Sequence, residues 1–169
     1  MADIFISYRR SDTGYIADQI YSEFARAFPR AEIYMDVAGD FRVGNYLDEI
    51  SSQIENCKIF LVLIGNSWQS TIEERLREGT LDIVVEEIKE AIKLDKQIIP
   101  ILSDGTEFPK VHNLPKSIQK LISSNAFTVR RSPYTDEDLL ALTEIVRPYI
   151  KTDKTNISTN KTKIDFSDL

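Results

Sequence analysis

The chain has very little cysteine and histidine. Its 169 residues include one cysteine, Cys57, and one histidine, His112. A lone cysteine excludes an internal disulfide framework and fits a reducing compartment, so we expect a cytoplasmic protein. A metal site made of His and Cys ligands, or a Ser-His triad, is disfavoured when each residue type occurs once. We therefore predict no bound metal.

Long apolar runs, an excess of basic charge and a nucleotide-binding P-loop are also missing. The longest apolar run, residues 59–64, is far shorter than the roughly 20 residues needed to cross a bilayer. The formal net charge is −6, which argues against a broad nucleic-acid surface. No GxxxxGK(S/T) segment occurs, so a P-loop nucleotidase is excluded. The sequence thus predicts neither membrane insertion nor direct nucleic-acid binding.

Apolar runs alternate with stretches of helical periodicity. The runs predict five strands, and the amphipathic stretches between them predict helices. This alternation is typical of an α/β fold, and we expect a flavodoxin-like open sheet of five mainly parallel strands flanked by helices. Residues 58–64 (KIFLVLI) are apolar on both faces, which predicts the central strand. Residues 68–80 are charged and irregular, and we interpret them as a loop or a short helix.

A change in composition near residue 150 predicts a domain boundary. A chain of 169 residues buries one good core and is expected to form one domain. Residues 151–169 are rich in Lys, Thr, Asn, Ser and Asp, which predicts a disordered tail or a linker. We therefore assign residues 1–150 to the domain and 151–169 to the tail.

The most informative segment is residues 3–10 (DIFISYRR), where an apolar strand ends in Tyr8, Arg9 and Arg10. In open α/β sheets, ligands bind just beyond the carboxyl ends of the strands. Paired arginine forks suit phosphate or carboxylate groups, although a solvated strand end is the simpler interpretation. A receiver domain of two-component signalling shares the predicted architecture but needs acidic residues here and an aspartate after the central strand. Arginines and Gly65-Asn66 occupy those places, so that class is excluded.

The helix predicted over residues 82–95 carries three glutamates in different surroundings. At about 100° per residue, its apolar stripe contains five residues: Val84, Val85, Ile88, Ala91 and Ile92. Glu86 and Glu90 point away from that stripe, whereas Glu87 lies at its margin, one turn after Ile83. A glutamate at such a margin either makes a boundary salt bridge or turns its carboxylate into a cleft. The helical wheel leaves both open.

The loop at residues 36–44 is long for a connection between a strand and a helix, which usually takes about 2–6 residues. Long loops of this kind are often functional. The apolar loop residues Val37, Phe41 and Val43 have no obvious core to enter. The loop either offers them to a partner surface or folds over its own sheet.

Taken together, these segments resemble a Toll/interleukin-1 receptor (TIR) domain over roughly residues 1–150. The resemblance rests on DIFISYRR at 3–10, IYMDV at 33–37, a loop ending in Gly44, FLVLIGNSW at 60–68, and VVEEIKEAI with IIPIL within 84–102. The SYRR and GNSW segments are most similar to bacterial members and to the NAD-cleaving branch of the family.

Several residue roles follow from this resemblance. In the enzymatic branch the catalytic glutamate directly precedes the Ile of a (D/E)-E-I-x-x-A-(L/I) helix, which implies Glu87. Tyr8, Arg9 and Arg10 match positions that line the nucleotide site. Tyr46, two residues after the loop glycine, matches an aromatic position that faces the nicotinamide end.

Three further positions bear on substrate binding. Ile83 stands four residues before the glutamate, where several enzymatic members of the family carry a tryptophan. Arg42 stands where an acidic loop residue is frequent in the family. Trp68 follows the central strand and is interpreted either as a core residue or as a surface for stacking on a ligand ring.

The resemblance implies an NAD⁺ nucleosidase that releases nicotinamide and forms ADP-ribose or a cyclic isomer, in bacterial anti-phage defence signalling. NAD⁺ is the implied substrate, and no cofactor is implied. Homo-oligomers are expected through TIR–TIR contacts of the loop residues Val37, Phe41, Arg42 and Gly44, with a sensor domain or partner protein joined through the tail. The alternatives are a non-enzymatic adaptor that only scaffolds such contacts, and a virulence-type protein that binds host adaptors.

Overall fold

A five-stranded sheet organises the fold. The structure, a computed structural model, describes residues 2–35 and 46–151. Along the chain the elements are β1 (Ile4–Ser7), α1 (Arg10–Ala27), β2 (Ile33–Met35), α2 (Tyr46–Asn56), β3 (Ile59–Ile64), α3 (Trp68–Glu78), α4 (Ile83–Lys93), β4 (Ile98–Ser103), two 3₁₀ helices (Val111–Asn113 and Lys116–Ser123), β5 (Phe127–Val129) and α5 (Thr135–Lys151).

All neighbouring strands pair in parallel, in the order β2-β1-β3-β4-β5. Parallel neighbours need long crossover connections, and helices supply them here. β3 lies in the middle of the sheet, with Ile59 opposite Ile4 of β1 and Phe60 opposite Ile98 of β4. All six residues of β3 are buried, as the apolar run predicts for a strand covered on both faces. The flavodoxin-like prediction, with a central strand at 58–64, is confirmed.

The sheet separates two apolar cores because side chains alternate between the faces of a strand. In β1, Phe5 points to one face and stacks on Tyr34 and Phe60, with ring centroids 4.9 and 5.0 Å away. That face is covered by α2, α3, α4 and the second 3₁₀ helix. Ile4 and Ile6 point to the opposite face, which α1 and α5 cover. We call these the α4 face and the α1 face.

The structure decides the charged stretch at residues 68–80, which the sequence left open as a loop or a short helix. It is a helix, α3, whose Trp68 and Ile72 are fully buried on the α4 face. Helix α1 begins at Arg10 and has a kink at Thr13. The loop at residues 36–44 lies outside the described residues. Among the helices that are described, none combines the length and apolar character that crossing a bilayer demands.

Cys57 lies just before β3 and behaves as a small core residue. Its side chain is buried on the α4 face. Burial away from water disfavours the thiolate and raises the pKa of the Cys57 thiol to about 11.

A bidentate ion pair joins the end of β5 to the first turn of α5. Arg130 donates from Nε to Asp138 Oδ2 at 2.9 Å and from Nη2 to Oδ1 at 2.8 Å. The Arg130 backbone N–H also donates to Oδ2 at 2.8 Å. Hydrogen bonds from Arg130 lower the pKa of the Asp138 carboxyl below its ordinary value.

We expect Asp138→Asn to lower the free energy of unfolding at pH 7. Because the folded-state pKa of Asp138 is depressed, the stabilisation is fully present above the unfolded pKa of about 4 and is lost as the pH falls through the folded value. Urea unfolding of both proteins, followed by the fluorescence of the single tryptophan, Trp68, measures the difference. A difference that stays constant from pH 7 to pH 2 would contradict this assignment.

Candidate functional site

The sheet has its topological switch point between β1 and β3. From β1 the chain passes to β2 on one side, and it then crosses back to place β3 on the other. Open α/β sheets bind ligands in the crevice at such a point, outside the carboxyl ends of the strands. Here those ends carry Tyr8, Arg9 and Arg10 after β1, and Gly65, Asn66 and Ser67 after β3.

Helix α4, which contacts both α2 and β1, presents a buried carboxylate. Val84, Ile88 and Ala91 are buried in the core, and Glu87 lies on the same side with 3% of its surface exposed. The wheel therefore places the residue correctly beside the stripe but underestimates how deeply packing covers it. Holding a carboxylate ionised away from water is costly unless its surroundings compensate.

The other two glutamates of α4 have ordinary surface roles. Glu86 lies 3.9 Å from Lys89, and Glu90 lies 3.9 Å from Lys93, with both carboxylates partly exposed. Glu90 also accepts a hydrogen bond from Ser51 of α2 at 2.9 Å. Glu87 is thus the one glutamate of α4 that is classed as buried.

Arg9 does not face solvent as an open anion-binding group. Its side chain is buried, and Nη1 and Nη2 donate to Oδ1 and Oδ2 of Asp82 at 2.9 and 2.6 Å. Period-2 alternation along β1 directs Arg9 to the α4 face. Arg10, by contrast, is exposed. This corrects the expectation that both arginines are available for a ligand, because in this conformation Arg9 is occupied by the protein itself.

The structure gathers most of the other predicted residues on the α4 face. Tyr46, the first residue of α2, and Ile83, the first residue of α4, are partly buried and pack against that core. Trp68 is fully buried in the same core, so its indole has no surface on which a ligand ring could stack. Of the two interpretations of Trp68, the core residue is correct. Tyr8 packs against the α1 face instead, on the other side of the sheet from Glu87.

The turn after β3 is occupied by an internal carboxylate. Asp12 of α1 accepts hydrogen bonds from the backbone N–H groups of Gly65 and Ser67, each at 3.0 Å. A Cβ atom at Gly65 would collide with the Asp12 carboxylate, so a larger residue would push that carboxylate away from these amides. Backbone amides at the start of a helix favour negative charge, and Asp12 provides it for α3.

A separate cleft of about 560 Å³ opens over the carboxyl ends of β4 and β5, beside Tyr15 of α1. Its two guanidinium groups are already paired: Arg130 with Asp138, and Arg131 with Asp104 at 3.9 Å. The lining residues do not include Glu87.

The remaining four predicted site residues belong to the loop at residues 36–44. Val37, Phe41, Arg42 and Gly44 lie outside the described residues. Within the described part of the chain, no three His, Cys, Asp or Glu side chains converge in a way that could hold a metal ion.

Comparison of the sequence with models of known protein families identifies the family of this chain. A family model described as TIR domain matches residues 4–138, most of the described fold. The chain belongs to the TIR domain family.

Several solved structures share the fold of this chain. The TIR domains of the activated Roq1 resistosome, which directly recognizes the pathogen effector XopQ, match with a TM-score of 0.62 at 12% identity, covering 86% of this chain and 99% of that one. A metazoan TIR-STING receptor from C. gigas matches with a TM-score of 0.54 at 14% identity, over 85% of this chain and 40% of the receptor chain. A "probable GTP-binding protein engB" also matches, with a TM-score of 0.54 at 11% identity over 88% and 98%. Identities this low demonstrate a shared fold and nothing more.

The sequence analysis missed the roles of two aspartates in this region. Asp82 is the N-cap of α4, and its position directly before an amphipathic helix is a recognisable capping signal. Its partner Arg9 lies 73 residues earlier, and no local pattern links the two. Asp12 lies in the first turn of α1, where an acidic residue is common, so nothing marked it as a ligand for the turn after β3.

We expect Gly65→Ala to destabilise the domain by about 1–3 kcal/mol, because the added methyl group forces the Asp12 carboxylate off the amides of Gly65 and Ser67. The control is Gly14→Ala in α1, where a Cβ meets only Arg10 Cγ at an ordinary 3.7 Å. That change should be neutral or stabilising by up to ~1 kcal/mol, since alanine favours a helix. Urea unfolding measures both, and equal effects at the two positions would refute the role of Asp12.

Proposed function

We propose that this TIR domain is an NAD⁺ nucleosidase and that Glu87 is its catalytic carboxylate. The observation that carries the proposal is the burial of Glu87, on a helix that contacts β1 near the switch point of the sheet. The same residue occupies the position that the resemblance to NAD-cleaving TIR domains assigns to the catalytic acid. A glutamate that serves only solubility is expected at partly exposed positions such as those of Glu86 and Glu90.

The proposed reaction breaks the bond between the ribose C1′ atom and the nicotinamide nitrogen. The nicotinamide ring is cationic, so it leaves with the bonding electron pair as a neutral molecule and needs no proton. The barrier lies in the positive charge that develops on the ribose, as in glycoside hydrolysis. A carboxylate removed from bulk water stabilises that charge more strongly than a solvated one.

Two products are compatible with this chemistry. Water that adds to C1′ loses a proton and gives ADP-ribose, whereas attack by an adenine nitrogen gives a cyclic isomer. In either case NAD⁺ is the substrate, and the proposal includes no resident cofactor.

The substrate-binding roles are distributed over residues that remain accessible. Arg10 is exposed, and its guanidinium fork suits the diphosphate. Tyr46 is half-buried beside the α4 core, as an aromatic surface for the nicotinamide end requires, and Ile83 adds an apolar wall. Tyr8, on the α1 face of β1, is assigned to the nucleotide end.

We expect Glu87→Gln to reduce nicotinamide release by about 10²-fold or more, since the amide keeps the shape but removes the charge that faces the oxocarbenium-like ribose. Release from NAD⁺ by purified, concentrated protein is measured by chromatography. The matched control is Glu86→Gln, the neighbouring residue with a partly exposed carboxylate, which should keep full activity. Full turnover by a folded Glu87→Gln protein would remove Glu87 from the mechanism.

Self-association is the second part of the proposal. The Roq1 TIR domains belong to a resistosome, and the resemblance assigns Val37, Phe41, Arg42 and Gly44 to TIR–TIR contacts. If the loop of one copy completes the site of another, activity depends on assembly. A non-enzymatic scaffold remains the alternative function, because it needs the same contacts but not Glu87.

We expect the activity per molecule to fall when the protein is diluted, because fewer sites are then completed by a neighbouring copy. Initial rates of nicotinamide release over a hundredfold range of protein concentration, with light scattering at each concentration, measure this dependence. A constant rate per molecule across the range would show that one copy carries a complete site.

The biological role that we propose is bacterial anti-phage defence. Assembly in response to infection would start NAD⁺ cleavage, and the loss of NAD⁺ or the nucleotide product would carry the signal. A sensor domain or partner protein joined through residues 151–169 would supply the cue.

A further inference from the structure

We propose that the buried ion pair between Arg9 and Asp82 positions the catalytic helix. The pair fixes the start of α4 against the turn that follows β1, and it thereby sets the place of Glu87 relative to the bound dinucleotide. Asp82 and Arg9 are positioning residues in this proposal, and neither touches the substrate. The inference deepens the nucleosidase assignment and rests on it.

The Asp82 carboxylate is tied to three elements at once. Oδ1 accepts from Arg9 Nη1 at 2.9 Å and from the backbone N–H of Val84 at 3.1 Å, while Oδ2 accepts from Arg9 Nη2 at 2.6 Å. Arg75 of α3 adds a longer contact, 3.6 Å from its Nη1 to Oδ1. The side chains of Arg9 and Asp82 are 6% and 7% exposed, so water competes little for these bonds. The N-terminus of α4 is therefore held by directional hydrogen bonds from Arg9, in the turn between β1 and α1, and from its own backbone, with a longer ionic contact from α3.

The backbone of Arg9 is also held in place by hydrogen bonds. Its carbonyl oxygen accepts from the backbone N–H groups of Asp12 and Thr13 at 3.0 and 2.9 Å, which makes it the start of α1. It also lies between Tyr8 and Arg10, the two residues proposed to bind the nucleotide. The ion pair thus connects the segment that binds substrate to the helix that carries the acid.

The apolar contacts of α4 cannot supply this constraint by themselves. Val84, Ile88 and Ala91 hold the helix against the sheet, but apolar contacts are not directional. A two-pronged Arg–carboxylate pair fixes both distance and angle. Glu87 lies five residues after Asp82 in a regular helix. A rotation or shift of the helix at its N-cap therefore displaces Glu87 by a similar amount.

Stability alone is a weak explanation for such a pair. Removing two charges from water costs free energy that their attraction often only offsets, and apolar replacements of buried pairs are frequently neutral. The ion pair at this location is better explained by the alignment of α4, and hence of Glu87, with the turn after β1. Displacement of a catalytic group by about 1 Å can cost about 10²-fold in rate.

The test compares two aspartates that make the same kind of pair. Asp82→Ser breaks the fork to Arg9 but keeps a good N-cap, because serine caps a helix about as well as aspartate. Asp138→Ser breaks the bidentate pair with Arg130 at α5, away from α4. Each variant is measured by urea unfolding, by kcat and KM for nicotinamide release, and by amide hydrogen exchange of residues 84–93.

We expect both variants to lose stability, but only Asp82→Ser should lower kcat, by about 10- to 100-fold with a smaller change in KM. Its α4 amides should exchange faster than those of Asp138→Ser after correction for global stability. Arg9→Lys, which keeps the charge but loses the fork, should behave like Asp82→Ser, and the double variant should be no worse than either single one. If Asp82→Ser does not fold, Asp82→Asn replaces it.

Three results would overturn the proposal: unchanged kcat in Asp82→Ser, an equal loss of kcat in Asp138→Ser, or additive losses in the double variant. If the wild-type protein releases no nicotinamide, the nucleosidase assignment fails and hydrogen exchange alone decides. Faster exchange confined to α4 in Asp82→Ser would then support the positioning role, and unchanged exchange would refute it.

Discussion

Because every strand runs in the same direction, the polar residues at the strand ends meet along one edge of the sheet. This constraint originates in β3, whose six buried residues require helices on both faces and hence parallel crossovers. It brings the arginines after β1, the glycine turn after β3 and the start of α4 into one region, although they are distant in sequence. The common direction of the strands thus determines where these polar residues meet.

The sequence predicts the fold far better than the site. Strands and the long amphipathic helices are visible in local periodicity, so the sheet and α4 were expected correctly. The sequence left α3 open between a loop and a short helix because charged residues surround its two core positions, Trp68 and Ile72. The depth of Glu87 was underestimated because a helical wheel gives direction only, whereas burial depends on how neighbouring elements cover the helix. The partnership of Arg9 with Asp82 spans 73 residues, and only the folded chain reveals it.

The two arginines after β1 have different surroundings and different roles. The sequence pattern suggests two arginines that bind an anion. In the structure, Arg9 forms a bidentate pair with Asp82 inside the protein, and Arg10 is exposed. The two side chains diverge where the backbone changes from extended to helical, because Arg9 is the extended residue before α1 and Arg10 is the first residue of that helix. Similarly, Asp12 occupies amides that could otherwise attract a ligand anion. Much of the charge at this edge therefore serves the architecture, and the proposed chemistry is concentrated on few groups.

The solitary thiol carries a consequence for how the domain can be controlled. A group with a pKa of about 11, sealed in the core, is almost entirely protonated at neutral pH, and the protonated form reacts poorly with peroxide or with disulfides. Oxidants therefore find no reactive thiol on the folded domain. Two copies also have no accessible cysteine through which a disulfide could join them. Self-association of this chain is therefore not expected to depend on a disulfide bond or to respond to a reductant.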